Sequence, residues 1–173
     1  MISFTIWISG ISASGKTTLG EMLCNKLHEL GYVNTIFLDG DILRKRLPNQ
    51  YGHSITDRYK ILDEYIKIIN KEIEKGKLVI VSTISHKKDM REIARKKINK
   101  YFEVILSCST DVCANRDYKN QYKKAFSGKY DCFPGVTEPY EYTEKPELII
   151  DTQNNDIEHS FNILFNNIKS HLK

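Results

Sequence analysis

The 173-residue chain is short of most features that would assign it to a specialised class. It has four cysteines, Cys24, Cys108, Cys113 and Cys132. They form no C-x-x-C pair and no zinc-like spacing with histidine, so neither a disulfide framework nor a structural metal is expected. Thiols in a reducing cytosol fit that pattern. No apolar run nears the ~20 residues that span a bilayer, which removes a membrane as partner. The chain starts directly on an apolar strand pattern, without a basic n-region or cleavage site, and so reads as cytoplasmic. Charge of one sign is not in excess: 26 Lys+Arg against 22 Asp+Glu leave +4, and the lysines are dispersed. Without a basic and aromatic cluster in a nucleic-acid motif, nucleic acid is not an expected partner, and a small anionic molecule is. There is no internal repeat and no low-complexity linker. With 40% hydrophobic and 28% charged residues, residues 1–173 read as one domain with one sizeable core.

What is present is organised around Gly10-Ile11-Ser12-Ala13-Ser14-Gly15-Lys16-Thr17, directly after an apolar run at residues 4–8. The stretch fits G-x-x-x-x-G-K-[ST], a strand feeding a phosphate-cradling loop that opens a helix. Gly10 and Gly15 let the backbone curl with its N–H groups around an anion. Lys16 supplies a mobile positive charge for the β- and γ-phosphates, and the Thr17 hydroxyl suits Mg²⁺. The next helix aims its positive end at the same phosphates. Gly10, Ser12, Ser14, Gly15, Lys16, Thr17 and Thr18 are therefore the candidate triphosphate-binding residues, with ATP and Mg²⁺ as expected cofactors.

Strand-like and helix-like patterns then alternate. Strands are expected at residues 4–8, 35–38, 78–82, 102–106 and 148–150. Helices are expected at 16–30, 42–47, 56–75, 87–99, 110–116 and 157–172, with Gly31 and Gly76 as stops. This alternation implies an α/β, three-layer P-loop NTPase fold: a parallel five-stranded sheet with helices on both faces. Ligands in such sheets bind beyond the carboxyl ends of the strands. Residues 117–144 break the pattern, being rich in Lys, Tyr, Gly and Pro. A segment of that length is usually a lid or disordered. Its aromatics, including Tyr118, Tyr122, Tyr130 and Phe133, favour a lid.

Two carboxylates, Asp39 and Asp41, follow the second strand. One is suited to the metal side and the other to taking a proton from an attacking hydroxyl. Asp39 is assigned to the metal and Asp41 to the base, although the reverse also fits, and Asp41 alternatively caps the short helix after it. Arg44 and Arg58 offer planar forks for phosphate or sulfate. Ser85 lies near an acceptor or caps the helix starting near Lys87.

Across nearly its whole length the chain resembles the adenylylsulfate kinase family. The resemblance rests on ordered blocks: residues 8–18, 38–44, Asp57-Arg58, Ile84-Ser85, Arg91 to Arg95, and Cys113 to Asp117. The narrowest block is Lys119, Tyr122-Lys123-Lys124-Ala125, Gly128, Phe133, Gly135, Pro139-Tyr140-Glu141 and Pro146-Glu147-Leu148. It implies transfer of the ATP γ-phosphoryl to the ribose 3′-hydroxyl of a nucleotide that carries an activated group on its 5′-phosphate. It places Lys16, Thr17, Asp39 and Asp41 with ATP, Mg²⁺ and catalysis, and Arg116 against the ATP adenine. Arg44, His53, Arg58, Ile61, Ile84, Ser85, Lys119 and Phe133 would face the acceptor. The position of Ser85 is often labelled a phosphoserine intermediate in the family; direct in-line transfer is preferred because no base beside Ser85 is visible. Family members are commonly homodimers.

The ATP-side blocks are intact, and the departures gather on the acceptor side. An acceptor-contacting Asn has become Ile61, and two arginines have become Asp63 and Glu64. A base-stacking aromatic has become His53, and a Pro after the Ile-Ser pair has become His86. A site built to hydrogen-bond its substrate is sensitive to such losses. They favour a changed acceptor, and the resemblance implies which one: a side branch of the family phosphorylates cytidine diphosphoramidate in a capsule-modifying pathway. The alternative is adenylylsulfate itself, in sulfate assimilation.

Overall fold

A computed structural model describes residues 4–47 and 51–172. Five strands, Thr5–Ser9 (β1), Thr35–Asp39 (β2), Leu78–Thr83 (β3), Tyr101–Ser107 (β4) and Leu148–Asp151 (β5), form one sheet in the order β2-β3-β1-β4-β5. Every pairing is parallel, with Ile6 opposite Ile80 and Phe102 at the centre. The chain moves from β1 to one edge, returns, then crosses to the other side of β1. That reversal opens a crevice beyond the carboxyl ends of the strands.

The central strands are buried on both faces, which is why they read as largely apolar runs, with Glu103 the charged exception in β4. Alternation along β1 divides its side chains between two clusters. Ile6 and Ile8 pack with Leu23 and Leu27 of helix Lys16–Glu29 (α1) and with Leu164 and Ile168 of Ile157–Ile168 (α7). Trp7 points the other way, to Leu43 of Gly40–Arg46 (α2), Ile66 and Ile69 of Ile55–Glu74 (α3), and Met90 and Ala94 of Lys88–Lys97 (α4). Two shorter helices, Thr110–Arg116 (α5) and Gln121–Phe126 (α6), complete the set. The layers and sheet expected from the sequence are those observed, with strand ends shifted by a residue or two.

Local chemistry sets the differences. α2 starts at Gly40 rather than 42 because Asp39, not Asp41, caps it, accepting from the Asp41 and Ile42 N–H groups. Ser85 does not cap α4; Lys87 holds the N-cap position, and the Glu141 carboxylate from the far segment accepts from the Lys88 N–H at 3.0 Å. The final helix tightens into a 3₁₀ turn at Lys169–His171. α6 is too short to show periodicity in sequence, and its start is fixed when Asp117 accepts from the Tyr122 N–H at 2.7 Å. Gly31 and Gly76 stop their helices as expected, with Tyr32 N turning back to Leu27 O and Lys77 N to Glu72 O.

Between α5 and β5 the chain runs over the crevice, tied down at several points. Tyr140 Oη donates to Ser9 Oγ at 2.8 Å, and Thr110 Oγ1 donates to the Gly135 carbonyl at 2.7 Å. A buried ionic cluster anchors its far end. Arg91 and Glu103, both without solvent exposure, pair at 2.8 Å. Arg95 bridges Glu103 and Glu147. Arg91 also donates to the carbonyls of Ser85, Lys87 and Glu141, which ties the β3–α4 loop to the overlying segment.

Candidate active site

A cavity of about 1120 Å³ opens at the carboxyl ends of the strands, running from the Gly10–Thr17 loop to Arg58 and His86. The loop shape follows from its glycines. A Cβ on Gly10 would come within 2.7 Å of Ser14 Oγ and 2.9 Å of the Leu106 carbonyl. Gly15, at φ 98°, adopts a left-handed conformation that other residues resist. Three of the loop's carbonyls are held. Lys16 Nζ donates to Ile11 O at 2.6 Å, Tyr122 Oη to Ser12 O at 2.8 Å and Thr152 Oγ1 to Ser14 O at 3.0 Å. With those carbonyls engaged elsewhere, the N–H groups at the start of α1 are left to serve an anion.

Lys16 shows that a phosphate group fits. Burial pushes its ammonium down to about 8, against weaker raising effects from Cys113, Asp41 and Asp39, and its hydrogen bond goes to a neutral carbonyl, that of Ile11. A cation so placed calls for a bound anion. Ser14 Oγ, also buried and unpartnered, sits in the same loop.

Thr17 Oγ1 donates to Asp39 Oδ2 at 2.7 Å, and Ser82 Oγ reaches the same oxygen at 3.0 Å. Burial alone would raise the Asp39 pKa. Hydrogen bonds from Thr17, Ser82, Ile42 and Asp41 outweigh it, and the carboxyl is held below its ordinary value. A hydroxyl and an ionised carboxylate in contact are a fitting oxygen donor pair for Mg²⁺. Asp41, two residues on, lines the cavity, and its carboxylate meets Lys119 Nζ at 3.3 Å.

The remaining expected residues divide by location. Thr18 and Arg116 line the end beside α1, where Arg116 donates to the Thr152 carbonyl at 2.9 Å. Arg44, Arg58, Ile61, Ile84 and Ser85 line the other end. Arg44 is turned to the Tyr51 carbonyl at 2.8 Å and to that of Gly52. Arg58 donates to the Cys132 carbonyl at 3.0 Å. Ile61 is largely core, packed with the α3 and α4 cluster. Ser85, at φ 37°, has Thr83 Oγ1 at 3.3 Å from its hydroxyl. His53 and Phe133 lie outside the cavity lining, on either side of Tyr130. The Tyr130 ring is 5.9 Å from His53 and stacks on Phe133 at 5.7 Å. Thr152 is a site neighbour that sequence reasoning did not single out, and Tyr130 was expected only as a lid aromatic. Tyr122 was visible within the lid block but not its reach to Ser12, 110 residues away.

A P-loop at the end of a central parallel strand, a buried lysine and a Thr–Asp pair define an ATP- and Mg²⁺-dependent phosphotransferase. The adenylylsulphate kinase family model matches residues 2–151. The adenylyl-sulfate kinase of Rippkaea orientalis is 38% identical over 156 residues, 90% of this chain and 86% of that protein. That of Clostridium acetobutylicum is 36% identical over 167 residues, 96% of this chain and 83% of its own. Among solved structures, the Mycobacterium tuberculosis APS kinase CysC in complex with AMPPNP and APS superposes with a TM-score of 0.88. It is 30% identical over 96% of this chain and 98% of that one. The chain belongs to the adenylylsulphate kinase family. Among the described residues no helix is long and apolar enough to cross a membrane, no group of three or more His, Cys, Asp or Glu is placed to hold a metal, and all four cysteines are free.

Proposed function

We propose that this chain transfers the γ-phosphoryl of ATP to the ribose 3′-hydroxyl of adenylylsulfate. The relatives support this acceptor better than the cytidine diphosphoramidate that the sequence departures favoured, and nothing in them points to capsule modification. The observation that carries the reaction is the pairing of Thr17 with Asp39 beside an exposed Asp41 that meets Lys119, between the two halves of one cavity.

In this reading the loop N–H groups and Lys16 grip the β- and γ-phosphates. Thr17 and Asp39 would hold Mg²⁺, which supplies neutralisation of phosphate charge. Asp41 takes the proton from the 3′-hydroxyl as that oxygen attacks the γ-phosphorus, and ADP leaves. Lys119, across from Asp41, adds positive charge where negative charge spreads in the transition state. The Ser85 hydroxyl contacts another hydroxyl rather than a base, which supports direct transfer over a phosphoserine intermediate. Residues 117–144 act as a lid over a single kinase domain, excluding water that would otherwise hydrolyse ATP. Its Tyr130, between His53 and Phe133, occupies the place where the resemblance puts the acceptor base, so the base must pack on this ring or displace it.

A second reading, a pyrimidine nucleotide bearing a terminal amide, is favoured by the acceptor end itself. There Ile61 offers no polar atom and His86 stands unpaired. ADP release from Mg·ATP with adenylylsulfate and cytidine diphosphoramidate in parallel tests both. A higher kcat/KM with adenylylsulfate supports the main reading, and a reversed preference replaces it with the second.

A further inference from the structure

His86 is fully enclosed, yet neither of its ring nitrogens has a hydrogen-bond partner among the described residues. Arg58 Nε, on the same wall, is buried and unpartnered too. Both residues belong to the wall at the acceptor end of the cavity, with the His86 ring enclosed behind its surface, and Ile61 and Met90 beside them add only apolar side chains. Three orphaned nitrogens in one wall carry a desolvation penalty that a structural role does not explain. The carboxylates nearby are engaged elsewhere. Lys87 takes Glu138 at 2.9 Å and Glu141 at 3.2 Å. The backbone around the ring is fixed, since the His86 carbonyl accepts from Glu141 N at 2.8 Å and the Ser85 carbonyl accepts from Arg91. Burial, then the positive charges of Arg58 and Lys87, push the imidazole pKa down to about 4. At neutral pH the ring is uncharged, with one N–H to donate and one lone pair to accept.

We propose that His86 is a specificity-determining residue, reading the charged group on the acceptor's phosphate together with Arg58 Nε. The inference rests on the acceptor being an activated nucleotide phosphorylated at its 3′-hydroxyl. Arg58 Nε and the imidazole N–H each donate to an anionic oxygen. The second ring nitrogen accepts from a donor only where the group carries one, as a terminal amide does; a sulfate uses the imidazole N–H alone. The ring is closed to water in the acceptor-free chain, so the wall adjusts its side chains as the acceptor enters.

The test compares wild type with His86→Leu, which removes both nitrogens at similar bulk, and His86→Asn, which restores one donor and one acceptor. KM for ATP, KM for the acceptor and the unfolding temperature are measured, with adenylylsulfate and cytidine diphosphoramidate as acceptors. Calorimetric binding of each acceptor to the Mg·ADP complex is measured alongside. His86→Leu should keep or raise the unfolding temperature, because it deletes orphaned polar atoms. It should leave the ATP KM within about twofold and raise the acceptor KM roughly tenfold, the loss of one hydrogen bond to a charged group. His86→Asn should recover part of that loss. An unchanged acceptor KM, or equal rises in both KM values, overturns the proposal. If wild type uses only the cytidine compound, the adenylylsulfate reading fails while His86 is judged on the compound that turns over. If neither compound binds, both inferences fall.

Discussion

Lys16 offers a direct measurement of how the loop is prepared for phosphate. In an unfolded chain its ammonium titrates near 10.5, and in the folded, ligand-free chain burial brings this to about 8. A folded pKa below the unfolded one means that folding favours the neutral amine. The ligand-free protein therefore gives up stability at neutral pH and regains it as pH rises from about 8 towards 10.5. The difference corresponds to about 3 kcal/mol. Bound phosphates reverse it, holding the lysine charged and returning its pKa to the ordinary range or above. Binding of Mg·ATP must then take up protons: about 0.5 per site at pH 8, about 0.9 at pH 9 and almost none at pH 6.5. Titration calorimetry in two buffers of different ionisation enthalpy reads this number directly. Lys16→Arg, charged throughout the range, should bind without that uptake. If wild type binds Mg·ATP at pH 8 to 9 with no dependence on buffer, the lysine is not held in a desolvated state awaiting an anion, and the loop argument is wrong.

Three further outcomes are expected. Asp41→Asn should lower kcat by about 10²-fold or more with little change in the ATP KM, as for loss of a general base, whereas Asp39→Asn should mainly weaken the response to Mg²⁺; steady-state kinetics across Mg²⁺ concentrations separates them. Arg91→Met should cost about 3–5 kcal/mol, because it leaves Glu103 buried with only part of its charge met. At about 2–4 °C per kcal/mol, thermal unfolding should fall by roughly 6–20 °C, and well beyond the fall for the more exposed Arg95→Met. Tyr122→Phe removes the hydroxyl that holds the Ser12 carbonyl; its ATP KM should rise about fivefold, the worth of one hydrogen bond, while the acceptor KM stays near wild type.

The layers of this protein were written in its local pattern. Largely apolar segments of five to seven residues make the central buried parallel strands, and the stripes of α1 and α3 make helices that cover them. The loop from Gly10 to Thr17 was equally legible, because its spacing is the chemistry: glycines where a Cβ would strike Ser14 or force a strained turn, then a lysine and a hydroxyl. Asp39 and Asp41 were visible as a pair, but their roles were not, since both are carboxylates two residues apart. Only the packing of β2 against β3 and α1 brings Thr17 and Ser82 to Asp39 and leaves Asp41 exposed in the cavity, facing Lys119. Helix α6 escaped detection for want of length. Its Tyr122, the Tyr130 ring between His53 and Phe133, and the enclosed His86 all depend on contacts between residues far apart in the chain. Periodicity and spacing report the neighbours a residue has along its own element. Which groups are left paired, enclosed or free is decided when the elements pack, and at this site that decides the chemistry.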